Sequence, residues 1–260
     1  MHDPHPTAAP TPVERKARAM LLAAGRGERM RPLTDQTPKP LLQVRGKPLI
    51  EWHLEALARH GVREVVINTA WLEDRIVGTL GNGSRWGLSI RYSMEGRDHG
   101  GALETAGGIA KALPLLVDHA DDPFWLVSGD IFAPAFRFDT GTAARFMGDP
   151  TLQAHLWLTP NPSFHPQGDF GLDARGFGLA DVCGPDGQRW TYANLALCRA
   201  ALCDHISSGT RAALGPLLFE RMRARRITAE IYRGQWENVG TPAQLEALTP
   251  VMRESALGDI

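Results

Sequence analysis

Residues 19–69 read AMLLAAGRGERMRPLTDQTPKPLLQVRGKPLIEWHLEALARHGVREVVINT, and the pattern of this stretch decides the fold. Ala19–Ala24 is a short, continuous apolar run closed by Gly25, as a strand buried on both faces should be. Across Pro48–His60, the residues Leu49, Ile50, His53, Leu54, Leu57 and Ala58 recur at helical spacing, and Gly61 supplies the stop. Glu64–Thr69 then reads as a second buried strand. Strand, helix and strand in close succession form a βαβ unit, which implies a parallel sheet and a right-handed crossover.

The alternation continues outward from this unit. Leu72–Leu80 predicts a short helix ended at Gly81, Leu88–Ser93 a strand, Thr105–Leu116 a helix and Phe124–Ser128 (FWLVS) another buried strand. Further along, Leu152–Leu158, Thr191–Cys198 and Thr228–Tyr232 read as strands, and Pro216–Arg226 and Thr241–Leu248 as helices. Residues 161–187, rich in Gly, Pro, Asp and Phe, predict irregular structure with a hairpin. The fold class is therefore α/β: a Rossmann-like, mainly parallel sheet flanked by helices, in a single domain over residues 18–250 with an elaborated C-terminal half. Residues 1–17, proline-rich and lacking the apolar core of a signal peptide, read as a disordered leader, and 251–260 as a tail.

Composition narrows the functional classes. The chain has 28 Lys and Arg against 29 Asp and Glu, a formal charge of −1, which argues against nucleic-acid and polybasic membrane partners. No apolar run approaches the roughly 20 residues needed to span a bilayer. Cys183, Cys198 and Cys203 form no C-x-x-C pair, so neither a disulfide framework nor a zinc site is expected, and cytoplasm is the expected compartment.

Ligands of open α/β sheets sit beyond the carboxyl ends of the strands, which singles out the segments after Ala24, Thr69 and Ser128. After the first of these, Gly25-Arg26-Gly27 leads to Arg29, Arg31 and Lys39. Glycines let backbone N–H groups approach an anion closely, and such concavities bind phosphates. The segment lacks the Gly-Lys-Ser/Thr ending of a P-loop, and Met30 stands where G-x-G-x-x-G requires its third glycine.

The run Gly25–Pro32 followed by Pro38-Lys39-Pro40 resembles the signature of sugar-1-phosphate nucleotidyltransferases, G-x-G-x-R-(M/L)-x-P and P-K-P. Further matches follow in the same order. Leu103–Gly107 resembles L-G-T-A-G, with Glu104 in place of the first glycine; Ser128-Gly129-Asp130 resembles N-G-D; Trp236–Pro242 resembles W-x-D-V-G-T-P, with Asn238 in place of the acid. The resemblance implies a nucleotide-diphospho-sugar transferase (GT-A-like) fold. It also implies a reaction in which a sugar-1-phosphate oxygen attacks the α-phosphate of a nucleoside triphosphate and releases pyrophosphate.

The same resemblance supplies the site residues. Arg29 and Lys39 would hold the phosphates and carry the catalysis. Ala23, Ala24, Gly25, Arg26, Gly27, Met30, Arg31, Glu104, Thr105 and Gly107 would bind the nucleotide. Asn68, at the end of the second strand, serves either that binding or a turn cap. Asp130 and Asn238 would ligate Mg²⁺, since an amide oxygen is still a donor for a hard cation, with Glu237 as the alternative donor. Asp169 and Asn194 are assigned to the sugar, Asp169 having a turn-forming role as its alternative. Leu103–Ile109 (LETAGGI) and residues 161–170 (NPSFHPQGDF) most resemble the branch that uridylylates N-acetylmuramate-1-phosphate. Mannose-1-phosphate guanylyltransferases and glucose-1-phosphate thymidylyl- or cytidylyltransferases stay open as alternatives. A non-catalytic nucleotide-sugar sensor is a further one, although such proteins lose the Arg, Lys or Asp that this chain keeps.

Overall fold

Seven apolar strands assemble into one sheet in a computed structural model that describes residues 17–248. Residues 1–16 of the expected leader and the 251–260 tail lie outside the described residues. The strands are β1 (Arg18–Leu22), β2 (Glu64–Thr69), β3 (Ser89–Met94), β4 (Pro123–Ser128), β5 (Ala154–Thr159), β6 (Thr191–Arg199) and β7 (Ile227–Ile231). Their spatial order is β7-β5-β6-β4-β1-β2-β3, parallel throughout except that β6 runs against both of its neighbours. The mainly parallel sheet is the one expected; the reversal of β6 is not legible in a run of buried residues, which carries no direction.

Helices α1 (Leu49–Arg59), α2 (Glu73–Leu80), α3 (Glu95–His99), α4 (Glu104–Leu116), α5 (Thr140–Gly148), α6 (Leu214–Arg223) and α7 (Pro242–Leu248) complete the chain. Alternation along β1 divides the core between the two faces of the sheet. Ala19 and Leu21 pack with Ile50 and Leu54 of α1, Ile76 of α2 and Phe146 of α5. Met20 points to the opposite face, with Ile109 of α4 and Leu218 of α6. The result is a helix–sheet–helix sandwich in which every β1 side chain between Ala19 and Leu21 is fully buried.

Helix α5 has no strong signal of its own, with Gly141 and Gly148 near its ends. Tertiary contacts hold it. Asp139 caps its start, accepting from the Thr142 N–H at 2.7 Å. Arg199, 3% exposed, donates to the carbonyls of Phe146, Met147, Asp149 and Leu152 at 2.6–3.2 Å, closing the far end where helix carbonyls lack partners.

A short antiparallel ladder pairs Ile131–Phe132 with Glu237–Asn238. It closes a third apolar cluster containing Met30, Val44, Leu49, Phe132 and Val239. Through it, the segment after β4 and the end of the chain meet beside the loop after β1. In register, Leu22 stands opposite both Asn68 and Ser128, so the three strand ends form one row.

Candidate active site

The loop after β1 is shaped by Gly27. Its φ is +67°, and a Cβ there would lie 3.1 Å from Thr34 Cγ2 and 3.2 Å from Lys39 Cβ, so only glycine lets the chain fold back on itself at this point. The Gly27 carbonyl accepts from the Met30 N–H at 2.9 Å and the Thr34 hydroxyl at 2.8 Å. Trp71 braces the loop from outside: its indole donates to the Thr34 carbonyl at 2.9 Å, and the Arg26 guanidinium lies 4.0 Å above its ring.

This fold-back buries Lys39, which is 8% exposed, and places its Nζ 2.6 Å from Asp130 Oδ2. Asp130 belongs to the turn after β4, and its carbonyl accepts from the Val239 N–H at 2.9 Å. Asn238 therefore sits beside Asp130, with its Oδ1 buried and lacking a hydrogen-bond partner. Successive residues of a strand face opposite ways, so Asn238 lines the cavity while Glu237 is exposed on the other side. Arg29 joins the same centre, since a Cβ on Gly240 would lie 3.4 Å from Arg29 Nη2.

His53 of α1 holds the turn that carries Asp130. Its Nε2–H donates to the Ile131 carbonyl at 2.8 Å, and burial pushes its pKa down to about 4. The native ring stays neutral where an unfolded one is already charged. Stability is therefore fully present above pH 6.5 and falls as the pH drops toward 4, by roughly 3 kcal/mol. His53→Gln keeps a donor but does not titrate, and chemical denaturation between pH 4 and 7 is expected to show a flatter acid limb for it. Equal slopes in the two proteins would remove this role from His53.

Beyond the ends of β1 and β4 lies a cavity of about 760 Å³. Arg29, Glu104, Thr105, Asp169, Asn194 and Asn238 all line it, although they come from five separate segments. Asn194 has φ +57° at an irregularity in the β5–β6 pairing, which re-aims its side chain. Asp169 is braced on both oxygens: one lies 3.0 Å from His165 Nε2 and the other accepts from the Tyr192 N–H at 2.8 Å. These contacts tie its loop to the start of β6, and a carboxylate has lone pairs left for a hydroxyl. Glu104 has φ +60°, a left-handed conformation that costs a side chain about 1–2 kcal/mol. Glu104→Gly is expected to raise the melting temperature, by up to about 1 kcal/mol of stability once glycine's own entropy is counted; a lower melting temperature would contradict the strain.

The sequence profile of the nucleotidyl transferase family matches residues 18–151, from β1 through the Asp130 turn and α5. An N-acetylmuramate alpha-1-phosphate uridylyltransferase of Neisseria meningitidis serogroup B is 46% identical over 233 residues, covering 88% of this chain and 95% of that protein. The chain belongs to the nucleotidyltransferase family. A second relative bearing the same description, from Caulobacter vibrioides, is 31% identical over 229 residues, or 86% of this chain and 92% of that protein. Among solved structures, a Bacillus anthracis chain assigned as a glucose-1-phosphate thymidylyltransferase superposes with a TM-score of 0.72 at 18% identity, covering 94% of this chain and 98% of that one. The last likeness bears on the fold alone.

Not every residue expected in the nucleotidyltransferase site faces the cavity. Met30 is fully buried in the third apolar cluster, so its side chain is core and not a nucleotide contact. Asn68 is 2% exposed; its Oδ1 accepts from the Ala23 N–H at 2.9 Å and its amide donates to Glu95, so it ties the fold together instead of presenting a ligand surface. The Gly107 N–H donates to the Ala212 carbonyl at 3.1 Å, which removes it as a free donor. Arg31 turns to Asp35 at 2.7 Å, and it, Ala23, Ala24, Gly25, Arg26 and Gly27, like the Lys39–Asp130 pair itself, lie outside the cavity's lining. Sequence reasoning missed Phe164, which is 51% exposed at the cavity, and the first turns of α6, from Leu214 to Phe219. An aromatic inside the NPSFHP stretch was the available signal for the former; α6 carried none, because its lining residues look like an ordinary apolar face.

Among the described residues, no helix is long and apolar enough to cross a membrane, and no group of three His, Cys, Asp or Glu side chains is placed to hold a metal.

Proposed function

We propose that this nucleotidyltransferase transfers UMP from UTP to N-acetylmuramate-1-phosphate. A phosphate oxygen of the sugar phosphate forms the new bond to the α-phosphorus, the bond from that phosphorus to the β-bridging oxygen breaks, and pyrophosphate leaves with both electrons of the broken bond. The observation that carries the reading is the convergence of Lys39, Asp130, Asn238 and Arg29, drawn from three segments distant in sequence. The 46% identity to the Neisseria enzyme over nearly its full length supports the choice of uridylyl donor and muramate acceptor.

Each residue's part follows from its charge and position. Two polyanions must meet, so the barrier is largely repulsion, and a fixed cation beside the α-phosphate lowers it. Lys39, buried and pre-positioned, supplies that cation, and Arg29 grips the triphosphate tail. Asp169 and Asn194 orient the sugar across the cavity. Thr105 and Glu104 meet the nucleoside; a carboxylate repels phosphate but accepts from hydroxyl and N–H donors, and its strained backbone fits a residue retained for binding.

Mg²⁺ fits the donor set. The unpartnered amide oxygen of Asn238 and the Asp130 carboxylate are hard oxygen donors, and Mg²⁺ ordinarily takes one or two protein ligands and completes its shell with water and phosphate. When bound, the ion supplies Lewis-acid charge to the phosphate oxygens.

The test is pyrophosphate release with UTP, GTP, dTTP and CTP, each paired with N-acetylmuramate-1-phosphate, mannose-1-phosphate and glucose-1-phosphate. Strong turnover confined to UTP with N-acetylmuramate-1-phosphate is expected. Turnover only with GTP and mannose-1-phosphate would keep the chemistry and overturn the substrates. Silence across the panel with UTP still bound would indicate the sensor.

A further inference from the structure

Glu95, at the start of α3, is fully buried in a position the reaction does not use. Its Oε1 accepts from Asn68 Nδ2 at 2.7 Å and its Oε2 from the Leu103 N–H at 2.7 Å. The other end of Asn68 accepts from the Ala23 N–H at 2.9 Å. A continuous line of hydrogen bonds therefore runs from Ala23, where the glycine loop begins, to Leu103, the residue before Glu104 and Thr105. Helix α4 seats directly on this pair: a Cβ on Gly108 would lie 2.5 Å from Glu95 Oε1 and 2.9 Å from Asn68 Nδ2.

Burial raises the pKa of Glu95, while the Leu103 and Asn68 donors oppose the shift. Two apolar side chains would fill this space without desolvating a carboxylate, and such replacements are often neutral or stabilising. The two ends of the line lead to the glycine loop and the Leu103–Thr105 turn, the segments to which the proposed function gives the triphosphate and the nucleoside. The donor order also matters: N–H groups arrive at Glu95 from both sides, one on each carboxyl oxygen, so both positions need an acceptor.

We propose that Asn68 and Glu95 are positioning residues that fix the spacing between the glycine loop and the Leu103–Thr105 turn, so that triphosphate and nucleoside are gripped together. This rests on the nucleotide-binding reading of those two segments. Glu95→Gln sets an amide donor against one of two donors, and Asn68→Asp sets one carboxylate against another. The double variant Asn68→Asp/Glu95→Gln restores every bond. The new carboxylate at 68 accepts from Ala23 and from the new amide at 95, whose oxygen accepts from Leu103.

The experiment is calorimetric UTP binding in Mg²⁺ buffer to the parent protein, both single variants and the double variant, with thermal melting of each and the KM for the sugar phosphate. Each single variant is expected to bind UTP about tenfold more weakly, with the KM for the sugar phosphate unchanged and parental affinity largely regained in the double variant. Singles that melt lower yet bind UTP as the parent does would reduce the pair to a structural brace and overturn the proposal. A double variant that does not fold, or that folds and still binds as weakly as the singles, would overturn it too. A parent that binds no nucleoside triphosphate would instead overturn the reading of the site on which the proposal rests.

Discussion

Lys39→Ala is expected to lower kcat/KM for nucleotidyl transfer by roughly 10²–10³-fold while the protein stays folded. The ammonium group is held 2.6 Å from Asp130 by a turn that only Gly27 permits, and it is 8% exposed. A cation fixed before the substrate arrives needs no reorganisation in the transition state, which is why its removal affects rate more than binding. Asp130 is about one-third exposed, so water can solvate the carboxylate left behind, and the stability loss should be on the order of 1 kcal/mol. Lys39→Arg should not restore the rate, because a planar fork does not place charge where a compact ammonium does. Steady-state kinetics beside a thermal melt check both parts; near-parental turnover would remove Lys39 from the reaction.

Asp130→Asn is expected to cost a similar factor, roughly 10²–10³-fold, for a different reason. It removes the only anionic donor from a pair whose other member, Asn238, is already neutral. Weak Mn²⁺ binding should follow, measurable by paramagnetic resonance without any substrate. Raising the Mg²⁺ concentration should recover part of the rate in Asp130→Asn and none in Lys39→Ala. Mn²⁺ affinity equal to the parent's would mean that Asp130 is not a metal ligand.

The sheet was largely readable because parallel strands buried on both faces must be continuously apolar, and AMLLAA, EVVINT and FWLVS are. What escaped were features that depend on partners distant in sequence. Helix α5 is held by Arg199 from β6, and β6 takes its direction from the long excursion through residues 161–187.

The site shows the same division. Gly27 and Lys39 stand out in the sequence because a turn that folds back on itself needs glycine and a buried cation needs a partner, and the structure brings Lys39 to Asp130. Met30 and Gly107 fall in matching motifs and Asn68 at a strand end, yet a motif or a strand end marks a neighbourhood and not the direction of a side chain. Met30 points into the core, and Asn68 points at Glu95. Glu95 falls outside every motif and every expected element, and nothing local marks it. Its importance lies in two hydrogen bonds to residues 27 positions before it and 8 after it.

The most direct test of the central claim is a phosphorus NMR time course of the protein with Mg²⁺, UTP and N-acetylmuramate-1-phosphate. One pyrophosphate and one uridine diphosphate sugar should appear for each UTP consumed, and neither should form when the sugar phosphate is omitted. Pyrophosphate formed without the sugar phosphate, or UTP left intact in the full mixture, would contradict the account.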